Sequence, residues 1–210
     1  MGISITIIII IFTCLISFQG FSKYAFIDRL KHSPVRELQY KEYYRLLTSG
    51  FIHADWTHLL VNMFVLYSFG EFIENYIISE FDDPWGKVIF CVMYLLNIII
   101  ANIPTYLKQK HNPSFASIGA SGAVSGIIFI FILLRPWSTL SLFFIIPVPA
   151  IILGVGYLIY SSWAAKKGHG NFDHSAHFTG ALAGMFMIIL LRKEILIEFV
   201  HSLINDFPLK

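Results

Sequence analysis

The chain has 210 residues, 56% hydrophobic and 16% aromatic but only 13% charged, with a mean hydropathy of +0.69. Soluble domains carry roughly 25% charged residues, so this chain lacks the polar surface needed to coat a water-facing globule. A formal net charge of +2 without a long basic stripe gives no footing for nucleic acid as a partner.

Six apolar runs follow in chain order, at about residues 3–22, 57–78, 86–107, 119–134, 139–161 and 174–191. A helix needs roughly 20 apolar residues to cross the hydrocarbon core. The expected fold is therefore an all-α membrane protein, one domain over residues 1–210 with six transmembrane helices. The first run has no Lys or Arg ahead of it and no small-residue cleavage site, so it reads as a retained span rather than a signal peptide. The segment from Lys23 to Trp56 mixes cations with tyrosines and suits the headgroup zone.

The second run opens with His58 and Asn62, spaced i,i+4 on one helical face. Glu71 and Glu74, near its other end, read as interfacial or structural, bonding to a neighbouring loop. In the third run, Asn97 and Asn102 read as interhelical polar contacts. The fourth opens with Gly119-Ala120-Ser121-Gly122, and the sixth with His174-Ser175-Ala176-His177, followed by Gly180 and Gly184. These two are the shorter, polar-marked runs, tolerated in a bilayer where neighbouring helices bury them. The fifth run and the loop ending at Lys167 are candidates for a gate, and the tail after Leu191 reads as a surface helix. Cys14 and Cys91 lie inside apolar runs, as packing or lipid-facing residues rather than a disulfide. With six spans, one face holds ten Lys and Arg residues and the other five, so charge does not place the N-terminus inside.

Runs two, four and six are separated by single spans and so run in the same direction, each with its polar residues in the first turns. Those groups therefore converge at one depth near one membrane face. Gly122-x-x-x-Gly126 and Gly180-x-x-x-Gly184 supply smooth strips for close approach. If the strips face each other, Ser121 and His177, one turn above, come within hydrogen-bond reach. A serine hydroxyl needs a base to become a nucleophile, and a neutral imidazole is one. Unpaired N–H groups at a helix start favour an oxyanion, and Asn62 and His58 could add donors. No acid is placed to orient His177, because Asp173 lies at the helix mouth, so a dyad is the economical reading. A metal site is weighed on His53, His58, His169, His174 and His177. No HExxH pair is present, and scattered loop histidines read as surface residues. Neither a metal nor another cofactor is expected. Two intramembrane aspartates, as an aspartyl protease requires, are lacking too.

Three ordered segments resemble the rhomboid family of intramembrane serine proteases: YYRLLTSGFIHADWTHLLVNMFVLYSFGEFIE, GASGAVSG and AHFTGALAG. The resemblance implies Ser121 as nucleophile, His177 as general base, His58 and Asn62 as oxyanion ligands, and Arg45 as a stabiliser of the first loop. It further implies a six-helix core with its N-terminus inside and a water-filled cavity open to the outer face, with single-span membrane proteins as substrates. The expected home is a bacterial inner membrane. A catalytically silent relative acting as a membrane binding protein or chaperone is the alternative, against which the intact Ser121 and His177 argue. Two positions depart from the family pattern. Tyr44-Arg45 stands where the family has Trp-Arg, and Ser125 occupies a site often aromatic, which puts a platform under His177 in doubt. The Ser125 hydroxyl is expected to hydrogen-bond within the site instead.

Overall fold

A computed structural model describes residues 3–142, 145–167 and 173–207. Helices α1 (Ile5–Ser22), α5 (Trp56–Phe81), α6 (Trp85–Gln109), α7 (Ser121–Leu134), α8 (Ala150–Lys167) and α9 (His174–Leu191) fall on the six apolar runs. Between α1 and α5 the chain forms the short helices α2 (Tyr24–Leu30), α3 (Pro34–Tyr40) and α4 (Arg45–Thr48), then a 3₁₀ turn at Ser49–Phe51. Helix α10 (Glu194–Asn205) follows α9 and turns part of its apolar surface outward through Leu196, Ile197, Val200 and Ile204. Among the described residues, α1, α6 and α9 are long and apolar enough to cross a membrane, and α7 is a shorter apolar helix.

The fifth run departs from expectation. Its first half is an antiparallel hairpin of β1 (Thr139–Leu142) and β2 (Ile146–Pro149), and the helix begins only at Ala150. A helix continued back through residue 139 would hold Pro147 and Pro149 in its interior. Each would lack a backbone donor and clash with the preceding turn, at a cost of about 3 kcal/mol. The helix instead extends forward over Lys166 and Lys167, which the sequence places in a loop. His169, weighed above as a metal ligand, lies outside the described residues.

Helix α7 is the centre of the bundle, with ten of its 14 residues buried. At about 1.5 Å per residue it is roughly 21 Å long, against a hydrocarbon core of about 30 Å. A helix this short cannot reach both surfaces, so one end stops within the protein. Its neighbours supply the missing polar contacts. Asn97 of α6 donates to the Ala123 carbonyl at 3.3 Å. Asn102 donates to the Leu46 carbonyl at 2.8 Å and to Ser49 Oγ at 3.2 Å, joining α6 to the segment before α5.

That segment is ordered by Arg45, whose side chain is almost fully buried. Its Nε donates to Glu42 at 2.7 Å, and one terminal nitrogen donates to the carbonyls of Asp28 and Lys31 at 2.7 and 3.0 Å. The Tyr44 ring lies beside its guanidinium, 5.5 Å away. Two hydrogen bonds from Arg36 to the same Glu42 carboxylate, together with Arg45, hold its pKa below the usual carboxylate range.

Glu74 bonds not to a loop but to the start of α1. It accepts from Ile5 N and Thr6 N at 2.7 and 2.8 Å, and from the hydroxyls of Ser4 and Thr6 at 2.8 Å each. A carboxylate here takes up helix N–H groups that have no intrahelical acceptor and complements the helix dipole. Glu74→Ala should destabilise the fold by about 2–4 kcal/mol, because a charged acceptor is lost and buried donors are orphaned. Glu74→Gln, which keeps one acceptor oxygen, should lose less, and thermal unfolding in detergent measures both.

Candidate active site

Helices α7 and α9 meet through their glycines. A Cβ on Gly180 would run into the backbone carbonyl of Gly122, and one on Gly184 would come within 2.6 Å of Gly126 Cα and its carbonyl oxygen. One on Gly126 would strike Asn97 Nδ2, so α6 closes the same junction from a third side. The two strips therefore face each other. One turn above them, His177 Nε2 lies 2.7 Å from Ser121 Oγ.

Ser121 is the first residue of α7. The turn before it needs Gly119, whose φ of +124° is costly for any other residue, and a Cβ there would meet the His58 ring at 2.6 Å. Gly119 N–H donates to the Ser49 carbonyl at 2.9 Å. Ala120 N–H donates to His53 Nε2 at 3.3 Å. The first helical bond of α7 runs from Val124 N–H to the Ala120 carbonyl. The N–H groups of Ser121, Gly122 and Ala123 thus precede the ladder, and these three residues line a cavity of about 480 Å³. His58, Asp173 and His177 line it too, together with Ser49 and Ser117.

Asn62 stands apart. It is buried one turn below His58, where its Nδ2 donates to the His58 carbonyl at 2.8 Å, and it does not line the cavity. Asp173 caps α9, accepting from Ala176 N–H at 3.0 Å and from Thr105 of α6 at 2.8 Å, while Ser117 Oγ lies 3.4 Å away. It positions the helix that carries His177, and among the described residues no salt bridge joins a carboxylate to that imidazole. Ser125 Oγ donates to the Ser121 carbonyl at 2.7 Å and lies 2.6 Å from the Tyr157 hydroxyl of α8.

His53 corrects the reading of loop histidines as surface residues. It is fully buried and connects three segments. Ser17 Oγ of α1 donates to the Phe51 carbonyl at 3.1 Å and sits 3.0 Å from His53 Nδ1, so Nδ1 carries the proton and Nε2 is free to accept from Ala120. The ring also packs edge-on against His58, with centroids 4.9 Å apart. Burial, with a smaller contribution from His58, pushes its pKa down to about 3 against the opposing pull of Asp55. His32 is likewise fully buried, with its Nδ1 2.7 Å from Glu37. Only its closeness to Glu37 in the sequence hinted at that pair.

A rhomboid domain model matches residues 40–194 of the chain. "RHOMBOID-like protein 12, mitochondrial" of Arabidopsis thaliana is 32% identical over 155 residues, covering 70% of this chain and 46% of that protein. "Rhomboid-like protein 11, chloroplastic" of the same plant is 28% identical over 163 residues, covering 72% and 53%. "Presenilin-associated rhomboid-like protein, mitochondrial" of Mus musculus is 28% identical over 177 residues, covering 79% and 44%. The chain spans about half the length of these curated relatives.

Two outcomes follow from the geometry. Gly180→Ala should cost about 1–3 kcal/mol by overpacking, and the separation it forces should break the Ser121–His177 contact. The check is an unfolding midpoint together with the rate of labelling by a serine-directed fluorophosphonate. For His53, the folded pKa lies below the unfolded value of about 6.5, so the unfolded chain binds the extra proton. Its contribution to stability is complete above pH 6.5 and is lost as pH falls toward 3. His53→Gln, which keeps an acceptor for Ala120 without titrating there, should flatten the fall in unfolding midpoint between pH 7 and pH 4.

Proposed function

The chain belongs to the rhomboid family, and from that premise we propose that it is an intramembrane serine endopeptidase cutting single-span membrane proteins at or near the membrane surface. It is an integral membrane protein, and the proposal includes all six long helices as spans. The observation that carries the reading is the 2.7 Å contact between Ser121 Oγ and His177 Nε2 at the mouth of a cavity reaching the start of α7.

In the proposed reaction, His177 Nε2 accepts the Ser121 proton as Oγ bonds to the scissile carbonyl carbon. The carbonyl oxygen becomes an oxyanion near the N–H groups that open α7, with His58 on the cavity wall as one side-chain donor and Asn62, turning in from one helical turn away, as the other. The imidazolium then returns its proton to the departing amine as the C–N bond breaks, leaving an acyl-enzyme on Ser121. A water, deprotonated by His177, attacks that ester, and the serine leaves with the proton. The polar wall of Ser49, Ser117 and Asp173 gives this water a place at membrane depth.

A bacterial inner membrane is the location expected from the sequence. The relatives named above are chloroplastic or mitochondrial, and fractionation of the native cell separates these settings. The catalytic test uses a single-span substrate in proteoliposomes. Wild type should cleave it, and Ser121→Ala and His177→Ala should not, with a fluorophosphonate labelling wild type alone. Asn62→Ala or His58→Ala should lower kcat about 100- to 1,000-fold, the usual loss for one oxyanion donor. Cleavage persisting in Ser121→Ala would defeat the proposal, and a wild type that neither cleaves nor labels would favour a binding or chaperone role.

A further inference from the structure

The geometry points to Tyr157 of α8 as a positioning residue for the Ser121–His177 pair, an assignment that rests on the hydrolytic reading above. The Tyr157 ring lies nearly parallel to the His177 imidazole, with an interplanar angle of 17° and centroids 6.3 Å apart. Its hydroxyl is 2.6 Å from Ser125 Oγ. Because the Ser125 proton is committed to the Ser121 carbonyl at 2.7 Å, Tyr157 is the donor in that pair. Phe129, one turn further along α7, flanks the same ring at 5.8 Å. The ring is therefore held at two points by the helix of the nucleophile, while it stands nearly parallel to the imidazole on α9.

The contact is part of a repeated register between α8 and α9. Tyr160 meets His174 edge-on at 5.4 Å, and His174 meets His177 edge-on at 5.9 Å. Two tyrosines spaced i,i+3 on α8 thus face two histidines spaced i,i+3 on α9. A ring that only filled space would not need to set its one polar atom on a serine bonded to the carbonyl of residue 121.

The dyad has a need that this arrangement meets. Among the described residues no salt bridge joins a carboxylate to His177, so beyond the bond to Ser121 the plane of the imidazole is set by the rings beside it, Tyr157 and His174. The Tyr157 ring, anchored to α7 and nearly parallel to the imidazole, limits its turning. Fixing the plane of the imidazole favours proton transfer as the transition state forms, so it raises kcat and leaves substrate binding alone.

Three variants in proteoliposomes test this: Tyr157→Leu, Tyr157→Phe, and Tyr157→Leu combined with Ser125→Phe, which returns an aromatic ring from α7 to the vacated space. Tyr157→Leu should lower kcat about 10- to 100-fold with KM changed by less than about twofold. Tyr157→Phe keeps the ring without its anchor and should lose about threefold, and the double variant should recover to within about threefold of wild type. A merely structural role predicts parallel changes in kcat and KM and no rescue by a relocated ring. Carbethoxylation of His177 by diethyl pyrocarbonate, read by mass spectrometry in detergent, does not depend on proteolysis. Tyr157→Leu should react about threefold faster or more, and the double variant should be slow again. Ser125→Ala, a milder change for the case where Tyr157→Leu does not fold, should match Tyr157→Phe. Wild-type kcat in both mild variants, or equal carbethoxylation of wild type and Tyr157→Leu, overturns the assignment. A wild type that neither cleaves nor labels, while carbethoxylation differs as expected, overturns the hydrolytic reading and leaves the hold of Tyr157 on His177 standing.

Discussion

The site depends on one steric fact: α7 and α9 touch backbone to backbone because neither has a Cβ at the crossing. In lipid, apolar side chains gain nothing by leaving one apolar medium for another, so helix association relies on close packing and polar contacts. Gly122 and Gly126 against Gly180 and Gly184 allow an approach that alanine would forbid. The 2.7 Å separation of Ser121 and His177, one turn above, follows from that approach. Helix α6 completes the junction, with Ala101 where a Cβ on Gly122 would point and Asn97 against Gly126.

A second constraint is that buried backbone groups near the start of α7 must find partners without water. Ala120 N–H is taken by His53, and Gly119 N–H by the Ser49 carbonyl. These bonds tie the segment between α1 and α5 to the loop that leads into Ser121, and Ser17 extends the tie to α1. Asp173 does the same for α9 through Thr105. Glu74 holds the opposite end of α1 against α5. Each link joins elements far apart in sequence, and at Glu74 and Asp173 one carboxylate meets several donors. Such sharing matters because one unmade hydrogen bond in a buried site costs more than a made one contributes.

Much of this was legible from local pattern. The placement of His58, Ser121 and His177 at the starts of alternate apolar runs required that they converge, and the paired glycines identified the faces. The reading failed where a residue's role is set by a partner with no periodic relation to it. His53 sits in a short loop, and nothing nearby in sequence says that Ala120, 67 residues away, needs an acceptor. Asn62 shares a helical face with His58, yet its amide is drawn back to the His58 carbonyl rather than into the cavity. In the fifth run, apolar composition alone does not separate helix from strand, and Pro147 and Pro149 mark extended backbone. Glu74 was recognised as structural, but its partner on α1 lies 68 to 70 residues away.

Helices α7, α8 and α9 are not fixed equally around the pair. Helices α7 and α9 are set by backbone contact, which has no rotamers and little tolerance. Helix α8 instead reaches the pair through the Tyr157 hydroxyl, two aromatic faces and the packing of Phe129 and Ile132 around Ala150 and Gly154. Contacts of that kind can be remade after a shift of an ångström or so, whereas the glycine crossing cannot shift without opening. A dyad without an acid therefore takes its distance from the rigid junction and its ring orientation from the softer helix. The distance between serine and histidine is then preserved under perturbations of α8 that alter the plane of the imidazole, so catalytic competence can change while the hydrogen-bonded pair stays in place.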